Sequence, residues 1–302
     1  MRLLTRSDFD GLVCAVLLKE AGIIEGYTFV HPKDVQDGKV LATADDILAN
    51  IPYIPGCGIW FDHHLSETER KAFKHDYVGE SRKEKSCARV IYDYYGGAER
   101  FPGKEELMIA VDKTDSGDLT ADEVLNPRDW ILLSFMMDPR TGLGRYRDYR
   151  ISNYQLMEQL IDMCQTMKIS DILANPDVQE RVKRYAEQEA LYKKMILENS
   201  RVDGKVLIID LRQVEEVVTG NRFVEYSLFP EVLTSVRIIW GLNKQNTVFA
   251  VGHSIINRGS QVNVGSLMLK HGGGGHFQVG TCQIENDNVD QALADVVAIL
   301  NS

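Results

Sequence analysis

The chain has 302 residues, of which 44% are hydrophobic and 26% are charged, so its composition is that of a folded globular protein. It carries 34 Lys and Arg against 44 Asp and Glu, a formal charge of −10, which gives no general attraction to long nucleic acids or anionic membranes. No apolar run is long enough to span a bilayer, and the five cysteines are scattered without a CxxC pair. We therefore expect a cytoplasmic protein with buried, reduced thiols, no membrane contact and no long nucleic-acid partner.

The first half of the chain predicts alternating strands and helices. Residues 2–7 form a short apolar-rich run, and residues 11–21 have the composition of a helix. A second apolar run covers 56–61, an amphipathic helix is predicted over 86–95, and residues 105–111 form a third apolar run. This alternation predicts an α/β domain with a mainly parallel sheet flanked by helices, whose ligands bind beyond the carboxyl ends of the strands.

The second half of the chain changes pattern. Residues 151–174 and 177–199 read as charged helices, the second of them a connecting helix, and strand-like runs begin at 205. A helix at 264–271, a strand at 277–284 and a last helix at 288–300 follow. The prediction is a domain of residues 1–190, a helical linker to about 204 and a smaller α/β domain of residues 205–302.

Three groups of acidic and histidine residues each follow an apolar run: Asp8 and Asp10; Asp62, His63 and His64; Asp112 and Asp115. If the runs are neighbouring strands, the carboxylates converge, and each pair at about 4 Å costs roughly 4 kcal/mol at an effective dielectric of about 20. Such a cluster needs protons or a cation, and its oxygen and imidazole donors suit Mn²⁺, with Mg²⁺, Co²⁺ or Fe²⁺ as alternatives. A helix cap for the first group and an exposed histidine pair for the second are the plainer interpretations.

A run of four glycines, 272–275, stands between His271 and His276. Because glycine lets backbone N–H groups approach an anion closely, the run is interpreted as an amide nest for phosphate, with a flexible loop as the alternative. Arg258 lies upstream and is interpreted either as a phosphate-binding fork or as a solvated surface residue.

Together these motifs resemble the DHH phosphoesterase superfamily with its C-terminal DHHA1 domain. The resemblance rests on four motifs in the family's order: Asp8-Phe9-Asp10-Gly11, Asp62-His63-His64, Asp115-Ser116-Gly117 and Gly273-Gly274-Gly275-His276. It implies two α/β domains with the active site in the cleft between them, and Mn²⁺-dependent hydrolysis of phosphoester or phosphoanhydride bonds.

Matched residue by residue, the resemblance implies roles for the motif side chains. The implied metal ligands are Asp8, Asp10, His63 and Asp115. Asp62 would orient His63, and His64 would face the scissile or leaving phosphate. The implied phosphate-binding residues are Gly273, Gly274, Gly275, His276 and Arg258. Two positions depart from the family pattern: Leu4 replaces a histidine, and Asn50 stands nearest to an aspartate that bridges metals. The count of one or two ions therefore stays open, with Asp112 as a further candidate ligand.

The short length and negative charge favour the compact family members that act on very short oligonucleotides or linear dinucleotides such as pGpG, releasing 5′-mononucleotides. Arg140 is predicted to line the cleft, and Tyr146 and Tyr149 to stack a base. An exopolyphosphatase, a cyclic-nucleotide phosphodiesterase and a 3′-phosphoadenosine 5′-phosphate phosphatase are alternatives. Because Leu4 and Asn50 depart from the family pattern, an inactive nucleotide-binding sensor is a further alternative. The interpretation also leaves a homodimer open.

Overall fold

The computed structural model describes residues 1–64 and 76–302. Its chain divides into two compact units. The first unit contains residues 1–118 and 126–185, and the second contains residues 119–125 and 186–302. No helix in the described ranges is both long and apolar enough to cross a membrane.

The first unit is built on a five-stranded sheet in which every pairing is parallel. Its strands are β1 (Arg2–Thr5), β2 (Gly26–Phe29), β3 (Asp46–Ala49), β4 (Ile59–Asp62) and β5 (Gly79–Ser81), in the order β2-β1-β3-β4-β5. Since β1, β3 and β4 are neighbours and run the same way, the residues that follow them lie at one edge of the sheet.

Helices surround this sheet: α1 (Phe9–Glu20), α2 (Pro32–Gln36), α3 (Cys87–Tyr94), α4 (Glu105–Ser116), α6 (Asp129–Met137), α7 (Asn153–Thr166), α8 (Ile169–Ala174) and the start of α9 (Pro176–Glu198). Helix α1 is buried from Phe9 to Leu18 and packs on α3, α4 and α7. Each fully buried Leu or Val side chain of α1 contributes about 1.5–3 kcal/mol, which fixes the start of α1 and hence the acidic residues there.

The second unit is built on a mixed six-stranded sheet in the order β10-β11-β9-β8-β7-β6. Its strands are β6 (Ser200–Asp203), β7 (Val206–Asp210), β8 (Thr234–Trp240), β9 (Thr247–His253), β10 (Gly274–Gly275) and β11 (Val279–Ile284). Among the described pairings of this second sheet, β7–β8 is parallel and the others are antiparallel. Helices α5 (Ala121–Leu125), α10 (Val224–Leu228), α11 (Val264–Lys270) and α12 (Val289–Leu300) complete this unit with the end of α9.

The α/β architecture predicted from the sequence is confirmed, with a parallel sheet flanked by helices in one unit and a second sheet in the other. Two elements differ from the prediction. Residues 105–111, predicted as a strand-like run, begin helix α4, whose first turn contains two glutamates. The predicted helix over 151–174 is also interrupted, because α7 ends at Thr166 and α8 begins at Ile169.

Candidate metal and phosphoester site

The carboxyl ends of three neighbouring parallel strands carry polar side chains that sequence analysis singled out. Asp8 and Asp10 follow β1, Asn50 follows β3, and His63 follows β4 directly. Asn50 takes a left-handed conformation with φ of 58°, which asparagine tolerates better than most side chains. The predicted convergence of these residues at one sheet edge follows from the strand order β1-β3-β4.

The ligand atoms of Asp10, His63 and Asp115 come together within 4.8 Å of one another. Nε2 of His63 lies 3.3 Å from Oδ2 of Asp115 and 3.7 Å from Oδ2 of Asp10. Two carboxylates and one imidazole at this spacing form a group that can hold a divalent cation. These three residues come from a helix start, a strand end and a helix end, and only the folded sheet edge brings them together.

Asp10 is held in place by the amino terminus of α3. Its carboxylate accepts the backbone N–H groups of Cys87 at 2.9 Å and Ala88 at 2.8 Å. Burial, followed by the negative charges of Asp115 and Asp8, raises the pKa of Asp10 well above its usual range, against the effect of those two hydrogen bonds. The surroundings of Asp10 therefore carry too little positive charge to stabilise its carboxylate, as is expected of a carboxylate that binds a cation.

The ring of His63 is oriented for ligation. Its Nδ1 lies 3.3 Å from the carbonyl oxygen of Glu84, and because a carbonyl only accepts, this hydrogen bond places the ring proton on Nδ1. Nε2 then carries the lone pair, and this buried atom has no hydrogen-bond partner among the described residues. An unpartnered imidazole nitrogen that faces two carboxylates fits a metal ligand.

Asp62 contacts the histidine pair differently from the expectation. Its Oδ1 accepts a hydrogen bond from Nδ1 of His64 at 2.7 Å and from the backbone N–H of His63 at 2.9 Å. Asp62 was expected to orient His63, but it contacts only the backbone N–H of that residue, and the ring Nδ1 of His63 faces the carbonyl oxygen of Glu84. Burial lowers the pKa of His64, but the hydrogen bond and charge of Asp62, together with the charge of Asp115, outweigh burial and raise it to about 8.

Asp8 caps the amino terminus of α1 through Gly11 and has two further partners. Its Oδ2 pairs with Nε of Arg6 at 3.0 Å, and its Oδ1 accepts from Nδ2 of Asn50 at 3.2 Å. Burial raises the pKa of Asp8 even though Arg6 opposes the shift. Gly11 is required here, since a Cβ would lie 2.0 Å from the carbonyl oxygen of Arg6. The carbonyl oxygen of the Asn50 side chain is buried without a partner among the described residues.

The third acidic group lies on a helix and divides between two roles. Asp115 stands in the last turn of α4 rather than after a strand, which corrects the sequence-based placement. Asp112, one turn earlier, accepts two hydrogen bonds from Arg89 at 2.7 and 2.9 Å and one from Ser86 at 2.8 Å. The carboxylate of Asp112 is thus committed to these partners, whereas that of Asp115 reaches His63.

Arg140 stands close enough to the acidic cluster for its charge to act on Asp8 and Asp115. Its side chain is 48% exposed, and its Nε donates to Asp138 at 2.8 Å. Partial desolvation opposes the charge of the guanidinium, but Asp138, Asp8 and Asp115 outweigh it and raise the pKa of Arg140. The arginine side chains at 145, 181 and 184 lie over the predicted base-stacking rings, Tyr146 and Tyr149. Both rings therefore pack against arginine side chains of the first unit.

In the second unit the glycine run packs between α11 and β11. The N–H of Gly273 donates to the carbonyl of Met268 at 2.9 Å and so closes the end of α11. A Cβ at Gly273 would lie 2.0 Å from the carbonyl oxygen of Thr281, and one at Gly275 would lie 2.2 Å from that of Val279. Close packing therefore requires these glycines, and the predicted contact of the Gly273, Gly274 and Gly275 amides with phosphate stays a prediction.

The remaining predicted residues of the second unit are placed as follows. The backbone N–H of His276 donates to the carbonyl of Val279 at 2.7 Å, and its own carbonyl accepts from Gly265 at 2.8 Å. Arg258 is exposed, and its Nε donates to the carbonyl of Ile255 at 3.1 Å. Their roles toward substrate stay predictions.

Sequence reasoning missed several supporting groups, because a motif records its own side chains and not their partners. Arg6, Glu84 and Arg89 contact Asp8, His63 and Asp112 respectively. Arg6 alone had a signal, since it precedes the first acidic motif by two residues. Leu4, which stands where the family has a histidine, is 2% exposed and belongs to an apolar cluster with Leu48 and Trp60.

Two solved structures share this fold at low sequence identity. One is a DHH-domain member of the s1p family of ribosomal proteins, with a TM-score of 0.58 and 12% identity over 100% of this chain and 86% of that one. The other is an exopolyphosphatase-related protein from Bacteroides fragilis, with a TM-score of 0.54 and 13% identity over 100% and 93% of the two chains. At these identities the likeness concerns the fold alone.

A third solved structure is much more similar. It is PggH from Vibrio cholerae, a pGpG-specific phosphodiesterase, with 47% identity and a TM-score of 0.86 over 99% of this chain and 98% of that one. No protein-family model and no curated protein sequence matches the chain. The chain belongs to the DHH phosphoesterase superfamily, as identity at this level over almost the whole length shows.

Proposed function

We propose that the chain is a phosphodiesterase that hydrolyses pGpG and similar linear dinucleotides to 5′-mononucleotides. The observation that carries the proposal is its 47% identity to the pGpG-specific enzyme over 99% of the chain. The cluster of Asp10, His63 and Asp115 supports it independently, because phosphoester hydrolysis needs concentrated positive charge at the phosphoryl group.

The donor atoms of the cluster fit a divalent cation. Nε2 of His63 is buried, unpartnered among the described residues and directed at two carboxylates, and the pKa of Asp10 is raised by burial and then by neighbouring negative charges. Oxygen and imidazole donors without thiolates favour Mn²⁺, with Mg²⁺ or Co²⁺ as alternatives. Asp10, His63 and Asp115 would hold the ion, which supplies an acidified water and neutralises phosphoryl charge.

Asp8 and Asn50 are the proposed additional ligand groups if a second ion binds. Asp8 would exchange its ion pair with Arg6 for the cation, and Asn50 offers a buried, unpartnered carbonyl oxygen. Asp112 is a poorer candidate, because Arg89 and Ser86 occupy its carboxylate. The count of one or two ions therefore depends on whether Arg6 releases Asp8.

The remaining residues are proposed to hold the substrate. Asp62 fixes the ring of His64 through Nδ1, so that His64 can donate from Nε2 to a phosphoryl or leaving oxygen. Arg140, whose charge reaches Asp8 and Asp115, would pair with a phosphate oxygen. His276, Arg258 and the run Gly273–Gly275 are assigned to substrate binding on the family resemblance.

The test is a turnover screen with added Mn²⁺ over pGpG, pApA, cyclic dinucleotides, polyphosphate and 3′-phosphoadenosine 5′-phosphate. The proposal predicts that pGpG is the best substrate and that GMP is released. Asp10→Ala and His63→Ala should abolish turnover while the circular dichroism spectrum is retained. Asp171→Ala, an exposed aspartate in the first turn of α8, is the matched control and should leave turnover intact. Equal cleavage of polyphosphate and pGpG would contradict the proposal.

A further inference from the structure

A cavity of about 300 Å³ opens in the first unit beside the acidic cluster. Ser7 lines it and directly precedes Asp8. Asp138 also lines it and binds Arg140, whose charge acts on Asp8 and Asp115. The volume is at the lower end of the range for small-molecule sites. A ligand here would therefore lie next to the residues assigned to the phosphate.

The cavity combines an apolar wall with polar residues, which are Ser7, Asp138, Arg145 and Asn153. Met136, Met137 and Met157 form the apolar wall and are each at most 6% exposed, and Asn153 lines the cavity as well. Methionine side chains are polarisable and adapt to flat aromatic surfaces. This combination of an apolar bed with a placed polar group is typical of a pocket for a heteroaromatic ring.

A buried arginine fixes the orientation of the Asn153 amide. Oδ1 of Asn153 accepts from Nε of Arg181 at 3.2 Å and from its Nη2 at 3.1 Å. Because a guanidinium only donates, the amide oxygen must face Arg181 and the NH₂ group must point away from it. Arg181 is 0% exposed and lies 3.8 Å from the ring centroid of Tyr149, so the clamp is rigid.

The NH₂ group of Asn153 lies next to Gly144, which has no side chain to fill the space between them. A Cβ at Gly144, which also lines the cavity, would lie 3.2 Å from Nδ2 of Asn153. Nδ2 donates no hydrogen bond to any residue within 1–64 or 76–302. Nδ2 of Asn153 is therefore available as a hydrogen-bond donor to a ligand in the cavity, whereas Oδ1 of the same amide already accepts from Arg181.

We propose that this cavity is the guanine subsite of the enzyme, with Asn153 Nδ2 donating to O6 of the base. The inference rests on the proposed function. O6 of guanine is an acceptor, whereas adenine has an amino donor at the same position, and N7 is an acceptor in both bases. An unclamped asparagine can also accept from that amino group, but Arg181 occupies the acceptor of Asn153. The clamped amide thus selects guanine over adenine.

The test is the ratio of kcat/KM for pGpG to kcat/KM for pApA in the wild-type enzyme and in Asn153→Asp. The carboxylate still accepts from Arg181, but it presents an acceptor to the base in place of a donor. We expect the ratio to fall about tenfold to hundredfold, because O6 then faces an acceptor and the adenine amino group gains one. Asn288→Asp, the same substitution at an exposed position of the second unit, is the control and should leave the ratio unchanged.

An unchanged ratio in Asn153→Asp overturns the guanine subsite, even if both activities fall. A wild-type enzyme that cleaves neither dinucleotide overturns the proposed function instead. The subsite is then decided by calorimetric binding of GMP and AMP to the full chain. There a preference for GMP that Asn153→Asp reverses supports the subsite, and equal binding of the two nucleotides contradicts it.

Discussion

Replacing Asp115 by asparagine removes one charge from the acidic cluster and should stabilise the metal-free protein. A carboxylate oxygen of Asp115 lies within 4.8 Å of the ligand atoms of Asp10 and His63, and the Asp115 side chain is 24% exposed. It also lies in the last turn of α4, where the helix dipole disfavours a negative charge. An asparagine amide at this position can donate to the lone pair of His63 Nε2.

The size of the effect follows from the geometry. Two full charges 4.8 Å apart repel by about 3.5 kcal/mol at an effective dielectric of about 20. Burial raises the pKa of Asp10, so protonation relieves part of this repulsion, and we expect a gain of about 1–3 kcal/mol in the unfolding free energy. Saturating Mn²⁺ should reverse the order, because an ion at a thousand times its dissociation constant stabilises wild type by about 4.1 kcal/mol and the variant binds it weakly.

The assay is thermal unfolding of the full chain, followed by calorimetry, in EDTA and in excess Mn²⁺. Each kcal/mol shifts the midpoint by about 2–4 °C in a unit of this size. Asp118→Asn, an exposed member of an ion pair with Lys85, is the matched control and should change stability by at most about 1 kcal/mol in either buffer. A lower midpoint for Asp115→Asn in EDTA, or equal stabilisation of both proteins by Mn²⁺, would refute the electrostatic reasoning.

Three further predictions concern single residues. Arg89→Ala leaves Oδ2 of the largely buried Asp112 carboxylate without its two donors and should cost about 2–4 kcal/mol in chemical denaturation, whereas a loss below about 0.5 kcal/mol would show that the pair is not stabilising. The hydrogen bond from Arg2 lowers the pKa of Asp46, so its contribution is present above the ordinary aspartate pKa and is lost as pH falls through the lowered value. Asp46→Asn should therefore lower stability near neutral pH and match wild type at acid pH, which unfolding between pH 2 and 7 measures. His276→Ala should raise KM for pGpG with little change in kcat, and a fall in kcat at constant KM would instead assign it to the transition state.

The sequence predicted the sheet edge well because the signal is local. Each of Asp8, Asn50 and Asp62 ends or follows a short apolar run, and parallel strands place such ends together. The glycine run was also recognisable, although its strongest requirement is close packing against Thr281 and Val279.

The sequence did not predict the partners of the site residues, because these contacts join distant segments. Glu84 orients His63 through a backbone carbonyl, which has no signature in the residue type. Asp112 stayed a further candidate ligand beside Asp115 in the sequence, and only its contact with Arg89 shows that its carboxylate has another partner. The clamp of Arg181 on Asn153 spans 28 residues and was invisible for the same reason.

Anomalous scattering from Mn²⁺-soaked crystals of the full chain tests the metal site most directly. The proposal predicts a manganese peak within coordination distance of Asp10, His63 and Asp115 in wild type, and its loss in His63→Ala crystals soaked in the same way. Manganese bound elsewhere in the chain, with these three side chains at their present positions and no peak between them, would contradict it.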